Sequence, residues 1–284
     1  MKCKRSLLCV VVLAVAATSF VLAAKPGTDA SKPLNVRPPH ISTDKSVSHD
    51  YPIVYVRVPR PYPKEYCHLN HLNQAGLHQT NAPGAELRLL HPDGRDESLV
   101  AVEPRESITD PAVSFDGQWV YYAKFHDMGT KEEAHMTRIR SRRGSDIYKV
   151  HVLTRKVVQL THQERTPNTG VVAEGIESHP RGVHNLAPCP APGGKIVFVS
   201  DRNGYRGVRE QTHAAVQLFV MDDDGSNVEF IAPMNLGGAL HPAPLKDGRV
   251  MFSSLETQGL RGNEQWGIWA IHPDGTHWGP LTSA

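Results

Sequence analysis

Two short motifs alternate along this chain, and their alternation restricts the fold more than any other feature. The first reads Asp110-Pro-Ala-Val-Ser-Phe-Asp116-Gly117-Gln-Trp-Val-Tyr-Tyr122, then Ala187-Pro-Cys-Pro-Ala-Pro-Gly193-Gly194-Lys-Ile-Val-Phe198, then His241-Pro-Ala-Pro-Leu-Lys-Asp247-Gly248-Arg-Val-Met-Phe252. Pro holds the second place and a small residue the third: Ala112, Cys189, Ala243. A two-residue turn, Asp-Gly or Gly-Gly, is expected next, because Gly takes positive φ without a Cβ clash. The segments align without gaps, and each ends in a β-branched and aromatic run. Pro near the start of a strand is tolerated, since that position need not donate to the ladder.

The second motif falls between copies of the first. It reads Leu87-Arg-Leu-Leu-His-Pro-Asp93-Gly94, Leu218-Phe-Val-Met-Asp-Asp-Asp224-Gly225 and Ile268-Trp-Ala-Ile-His-Pro-Asp274-Gly275. Ile147-Tyr-Lys-Val-His-Val-Leu153-Thr154 fits the same frame without Asp-Gly. One unit thus holds four short strands and two hairpin turns, the content of a propeller blade. A single blade cannot bury both faces, so neighbours must stack around an axis. A β-sandwich also has many short strands, but two motifs recurring in alternation fit blades. The expected fold is all-β, with blades near residues 51–105, 106–165, 180–235 and 238–284.

The 284 residues carry a formal charge of +2, with 39% hydrophobic residues, 23 Gly and 22 Pro. That balance is globular and gives no global pull toward nucleic acid or an anionic membrane. Lys2, Lys4 and Arg5 precede an apolar stretch from Leu7 to Ala24. This predicts a signal peptide over residues 1–24, cut after Ala23 or Ala24, and hence a periplasmic or secreted protein. The alternative is an uncleaved anchor. Residues 25–50, with Pro26, Pro33, Pro38 and Pro39, read as a disordered linker. No later apolar run is long enough to span a membrane.

The repeat-bearing residues resemble the TolB-like propellers. The stretch Tyr51-Pro-Ile-Val-Tyr-Val-Arg-Val-Pro-Arg60, with Cys67-His-Leu-Asn-His71 and Gly76-Leu-His78 through Leu90, is similar to the middle-domain family of the hydrazine synthase alpha subunit. That resemblance implies a TolB-like β-propeller. In the enzyme, c-type haems are attached outside the propeller. Such attachment needs Cys-x-x-Cys-His, and the four Cys here, Cys3, Cys9, Cys67 and Cys189, do not form it. About four blades are visible, fewer than such propellers usually close with. A compact four-blade ring, a truncated gene product and an arc completed by a partner remain open, and the count leans to truncation or an incomplete arc.

Candidate sites are few. Cys67, His68, His71 and His78 cluster in one insertion, and thiolate and imidazole suit zinc or non-covalent haem iron. The plainer reading is a hydrogen-bonded loop packed on one face. Asp110 and His241 share one blade position at the entrance to the inner strand, with His184 three residues before its counterpart Ala187. Polar groups there could line a channel and hold a ligand, or bond to each other and to buried water. Cys189 aligns with Ala112 and Ala243, which favours a buried thiol over a disulfide with Cys67. Residues 125–145 and 201–216 read as exposed insertions, the first rich in Arg. No Gly-x-Ser-x-Gly, His-Glu-x-x-His, P-loop or dinucleotide motif occurs. The expectation is a binding scaffold without chemistry of its own, with a protein partner completing or capping it. The alternative is a truncated or split subunit of a periplasmic haem or zinc redox complex.

Overall fold

The Asp in each hairpin turn is there for a hydrogen bond. Its carboxylate accepts the backbone N–H two residues on: Asp93 from Arg95, Asp116 from Gln118, Asp224 from Ser226, Asp247 from Arg249, Asp274 from Thr276. This Asx turn reverses the chain locally. The β-branched and aromatic runs on either side then pair. A computed structural model describes residues 43, 49–59, 83–129, 143–165, 182–204, 215–232, 238–255 and 266–282. The expected signal peptide and nearly all of the linker lie outside the described residues.

Fifteen strands are described, in four antiparallel sheets. Blade 1 has three: β1 (Ile53–Arg57), β2 (Glu86–Leu90) and β3 (Asp96–Val100). Blade 2 has β4 (Ser107–Val113), β5 (Trp119–Phe125), β6 (Ser145–His151) and β7 (Val157–Gln159). Blade 3 has β8 (Asn185–Ala191), β9 (Lys195–Ser200), β10 (Gln217–Asp222) and β11 (Glu229–Phe230). Blade 4 has β12 (Ala239–Pro244), β13 (Val250–Leu255), β14 (Trp266–Ile271) and β15 (Gly279–Thr282). Within each sheet the strands lie in chain order. The four sheets are blades of a β-propeller arc, and among the described residues it does not close into a ring. Among the described residues no helix is long and apolar enough to cross a membrane.

The expected gapless alignment fails by one residue. The turn of blade 2 holds four residues between Ser114 and Trp119, whereas blade 3 holds three between Ala191 and Lys195. Pairing therefore makes Val120, Ile196 and Val250 equivalent, opposite Val113, Pro190 and Pro244. The extra residue shifts every later side chain of β5 to the other face of a naive alignment, because strand periodicity is two.

With this register each blade has an upstream face, toward the blade before it, and a downstream face. The upstream face of blade 2 presents Val120, Tyr122 and Val150 to Leu87 and Leu89 of blade 1. That of blade 3 presents Ile196, Phe198, Phe219 and Met221 to Tyr121, Ile147 and Leu160 of blade 2. That of blade 4 presents Val250, Phe252 and Ile271, with Trp269, to Val197, Val199, Leu218 and Val220 of blade 3. Each interior seam thus receives a cross-strand aromatic pair: Tyr122–Tyr148, Phe198–Phe219 and Phe252–Trp269. The first two have ring centroids 5.8 Å apart. Gly225 is needed at one seam. Its φ is +88°, and a Cβ there would sit 2.3 Å from the Leu160 carbonyl oxygen of blade 2.

Candidate functional site

Pro in the first-strand motif removes a backbone donor, and the structure uses that to install a bulge. The pairing of β4 with β5 slips between Thr109 and Ala112, that of β8 with β9 between Leu186 and Cys189, and that of β12 with β13 between Leu240 and Ala243. A bulge leaves one residue unpaired, and Pro has no N–H to strand there. The residue before each Pro is left-handed: Asp110 at φ 54°, Ala187 at 48° and His241 at 53°. For a residue with a Cβ this conformation costs about 1–3 kcal/mol, and such strain concentrates at functional sites.

The first strands β4, β8 and β12 pack against one another along the arc. Asp110 links two of them. One carboxylate oxygen accepts the Ala187 N–H at 3.1 Å, and the other accepts the Thr109 hydroxyl at 3.1 Å. Desolvation pushes the Asp110 carboxyl above its usual range, opposed by those two hydrogen bonds and by the His241 charge. Asp110 and His241 stand at the same bulge two blades apart, and Ala187 of the intervening blade supplies only its backbone N–H. His241 itself is exposed. The three positions form a shallow polar row, with a carboxyl at one end and an imidazole at the other.

His184 belongs to a different cluster. It is buried at the head of β8, where its N–H donates to one oxygen of Asp201 at 2.7 Å and its Nδ1 lies 2.8 Å from the other. Its ring leans on Phe125. This seam of blades 2 and 3 buries a larger polar network. Asp146 accepts from the Thr161 hydroxyl (2.6 Å), the Gln163 N–H (2.9 Å) and Asn185 Nδ2 (3.2 Å), and its other oxygen lies 2.8 Å from His126 Nε2. Asn185 Oδ1 accepts from Ser200 Oγ and Arg202. The Arg202 guanidinium lies over Phe198 and Phe219, and burial pushes its pKa down to about 10 even with Asp146 and Asp201 nearby.

Sequence reasoning missed this network. It treats 201–216 as an exposed insertion, yet Asp201, Arg202 and Asn203 are buried. The available signal was Ser200-Asp-Arg at the end of the apolar β9, and Ser145-Asp146 opening β6. Buried charges on either side of one seam are tolerated when each is hydrogen-bonded.

Cys189 is a free, buried thiol within the main apolar cluster, and burial pushes its pKa up to about 12. Cys67, His68, His71 and His78 lie outside the described residues, as do most of the charged insertion and residues 205–214. Among the described residues no group of His, Cys, Asp and Glu is placed to hold a metal ion.

No family model matches this chain, and no curated protein does. Solved structures do. Hydrazine synthase of Kuenenia stuttgartiensis aligns at 17% identity over 82% of this chain and 32% of its own, with a TM-score of 0.50. A putative TolB from Agrobacterium tumefaciens aligns at 21% identity over 70% of this chain and 56% of its own, with a TM-score of 0.46. TolB from Acinetobacter baumannii aligns at 13% identity over 71% and 38%, with a TM-score of 0.43. The chain therefore spans less than two thirds of the length of each. Identities this low speak for fold and not for activity.

Proposed function

We propose that this chain is an exported β-propeller scaffold, periplasmic or secreted, that binds another protein or a small ligand and has no chemistry of its own. One observation carries the reading: three consecutive blades hold a non-glycine residue in left-handed strain at the same bulge, and the outer two are an acid and a histidine. Strain repeated at one position presents those side chains in a fixed direction. A carboxyl and an imidazole so placed suit a ligand with both hydrogen-bond donors and acceptors. A relation to the hydrazine synthase alpha middle-domain family fits the same reading. Its support is the Tyr51–Leu90 resemblance together with the shared fold.

The test is native mass spectrometry of the full chain isolated from its own periplasm or medium, set against its denatured mass. A bound small molecule or protein is expected, retained by wild type and released by Asp110→Ser and His241→Ser. Wild type without added mass, or added mass indifferent to both variants, would refute the reading. A Soret band, or stoichiometric zinc lost on Cys67→Ala, would replace it by the redox-subunit alternative.

A further inference from the structure

A buried tyrosine hydroxyl normally finds a partner, because an unpaired polar group in a desolvated place is costly. In the seam of blades 1 and 2 two hydroxyls do not. Tyr122 is 1% exposed on the upstream face of β5. Among the described residues its hydroxyl makes no hydrogen bond, although the oxygen is not sealed from solvent. Tyr148, its cross-strand partner on β6, is half-buried, and its hydroxyl likewise has no bond among the described residues. The two rings are stacked, with centroids 5.8 Å apart and planes 15° from parallel. Tyr121, next to Tyr122 in the chain but on the opposite face, shows the ordinary case: its hydroxyl donates to Asp223.

Other polar groups gather on the same rings. Lys124 Nζ lies 5.3 Å from the Tyr148 centroid, and the His126 ring is edge-on to Tyr148 at 6.4 Å. Among the described residues Lys124 donates once, to Glu106 at 2.9 Å, and an ammonium has three N–H bonds to give. Asp146 already accepts from Thr161, Gln163, Asn185 and His126. Burial, then Tyr148 and the Glu106 carboxylate, push the Tyr122 pKa up, and burial, then Asp146, Glu106 and Glu164, do the same to Tyr148. Both phenols therefore stay protonated donors at neutral pH. The carboxylate field that disfavours a phenolate here disfavours an anionic ligand as well.

We propose that the Tyr122–Tyr148 pair, with Lys124 beside it, binds an uncharged peptide backbone through its carbonyl oxygens. What the cluster has to give is donors: two phenol O–H groups on stacked rings and the remaining Lys124 N–H groups. A ligand rich in acceptors and without net charge meets that need, and successive peptide carbonyls present such oxygens in a row. A sugar would bring as many donors as acceptors, and of the two carboxylates only Glu106 has lone pairs to spare. Holding two hydroxyls unpaired in the free chain costs stability, the usual trade at a binding site. This site shares no residue with the Asp110–His241 row. It goes beyond the scaffold reading by adding a second site with a ligand class of its own.

The test uses the full chain with its tyrosines carbon-13 labelled at Cζ, and acetyl-triglycine amide as the probe. In nuclear magnetic resonance spectra the Tyr122 and Tyr148 signals, assigned through their Phe variants, should shift saturably while those of the other tyrosines stay. Tyr122→Phe and Tyr148→Phe should each weaken binding about tenfold, the worth of one uncharged hydrogen bond. N-methylacetamide should bind far more weakly, and sodium acetate should leave both signals in place. No shift with the peptide amide overturns the proposal, as do variants that bind it like wild type. Acetate binding in place of the peptide amide overturns it in favour of an oxyanion site, and N-methylacetamide binding as tightly overturns it in favour of a single amide. A second measurement separates this role from a structural one. Tyr122→Phe should leave the urea midpoint unchanged or raised, because its hydroxyl bonds to nothing in the fold, whereas Tyr121→Phe should lower it by losing the bond to Asp223. A Tyr122→Phe midpoint lowered as far as that of Tyr121→Phe overturns the proposal, since the hydroxyl would then have a partner within the fold. Neither readout touches Asp110 or His241, so failure here is distinct from failure of the scaffold reading.

Discussion

Phe198 and Tyr55 occupy the same position in blades 3 and 1, facing upstream and opposite Phe219 and Arg88 respectively. Only the surroundings differ. Phe198 is 0% exposed, its ring is 5.8 Å from that of Phe219, and the Arg202 guanidinium sits 5.1 Å from its centroid. Truncating a buried Phe to Ala removes the transfer energy of the ring and leaves a cavity, which costs about 3–5 kcal/mol. The Arg202 charge would also lose one of its two aromatic neighbours in a desolvated site, which places Phe198→Ala toward the upper end, about 4 kcal/mol. Tyr55 is half-buried on the side of blade 1 that no described blade covers, and its hydroxyl accepts from Arg57 at 3.1 Å. Tyr55→Ala should cost about 1 kcal/mol, as substitutions outside a sealed core do. The assay is urea unfolding of the full chain followed by far-ultraviolet circular dichroism and tryptophan fluorescence. With a slope of about 2 kcal/mol per molar urea, the two midpoints should separate by about 1.5 M. Equal costs for the two variants would refute the assignment of Phe198 to a sealed seam. So would a cost below about 1 kcal/mol for Phe198→Ala, since a packed seam cannot lose a ring so cheaply.

Two further outcomes are expected. Asp110 has a raised carboxyl pKa, chiefly through desolvation. The folded chain therefore keeps its proton at a pH where the unfolded chain has released it, and stability should fall as pH rises from the ordinary Asp value through the raised one. Asp110→Asn should flatten that part of the stability profile in urea titrations at closely spaced pH, and an unchanged slope would contradict the assignment. Cys189, with its pKa near 12 and no exposure to speak of, should resist a thiol reagent at pH 8 when the other three cysteines are replaced by Ser. Labelling should then track unfolding by urea, and rapid labelling of the native chain would place the thiol elsewhere.

Much of the fold was legible because its signals are local. Asp-Gly turns, a recurring Pro that the structure places mid-way along each first strand rather than near its start, and β-branched runs at fixed distances act within a few residues, and they located three full blades and one partial blade. The register was legible only approximately. One extra turn residue in blade 2, between Ser114 and Trp119, reverses which side chains of β5 face blade 1, and nothing short of the ladder reveals it. The row of Asp110, Ala187 and His241 was visible as a column in the repeat, since Pro marks it. Its left-handed φ was not visible, because a bulge is a property of two strands. His184 was grouped with that row by nearness in sequence, whereas its hydrogen bonds to Asp201 place it in the seam of blades 2 and 3.

By itself the sequence determined that the chain is a string of four-stranded β units with an acid and a histidine at matched places, because turn chemistry and strand alternation are written in neighbouring residues. Only the tertiary structure decided which faces meet in the three seams, and that Asp146, Asn185, Asp201 and Arg202 share one buried network. Those facts depend on residues tens of positions apart meeting across a seam, where burial sets the cost of every charge and the worth of every ring.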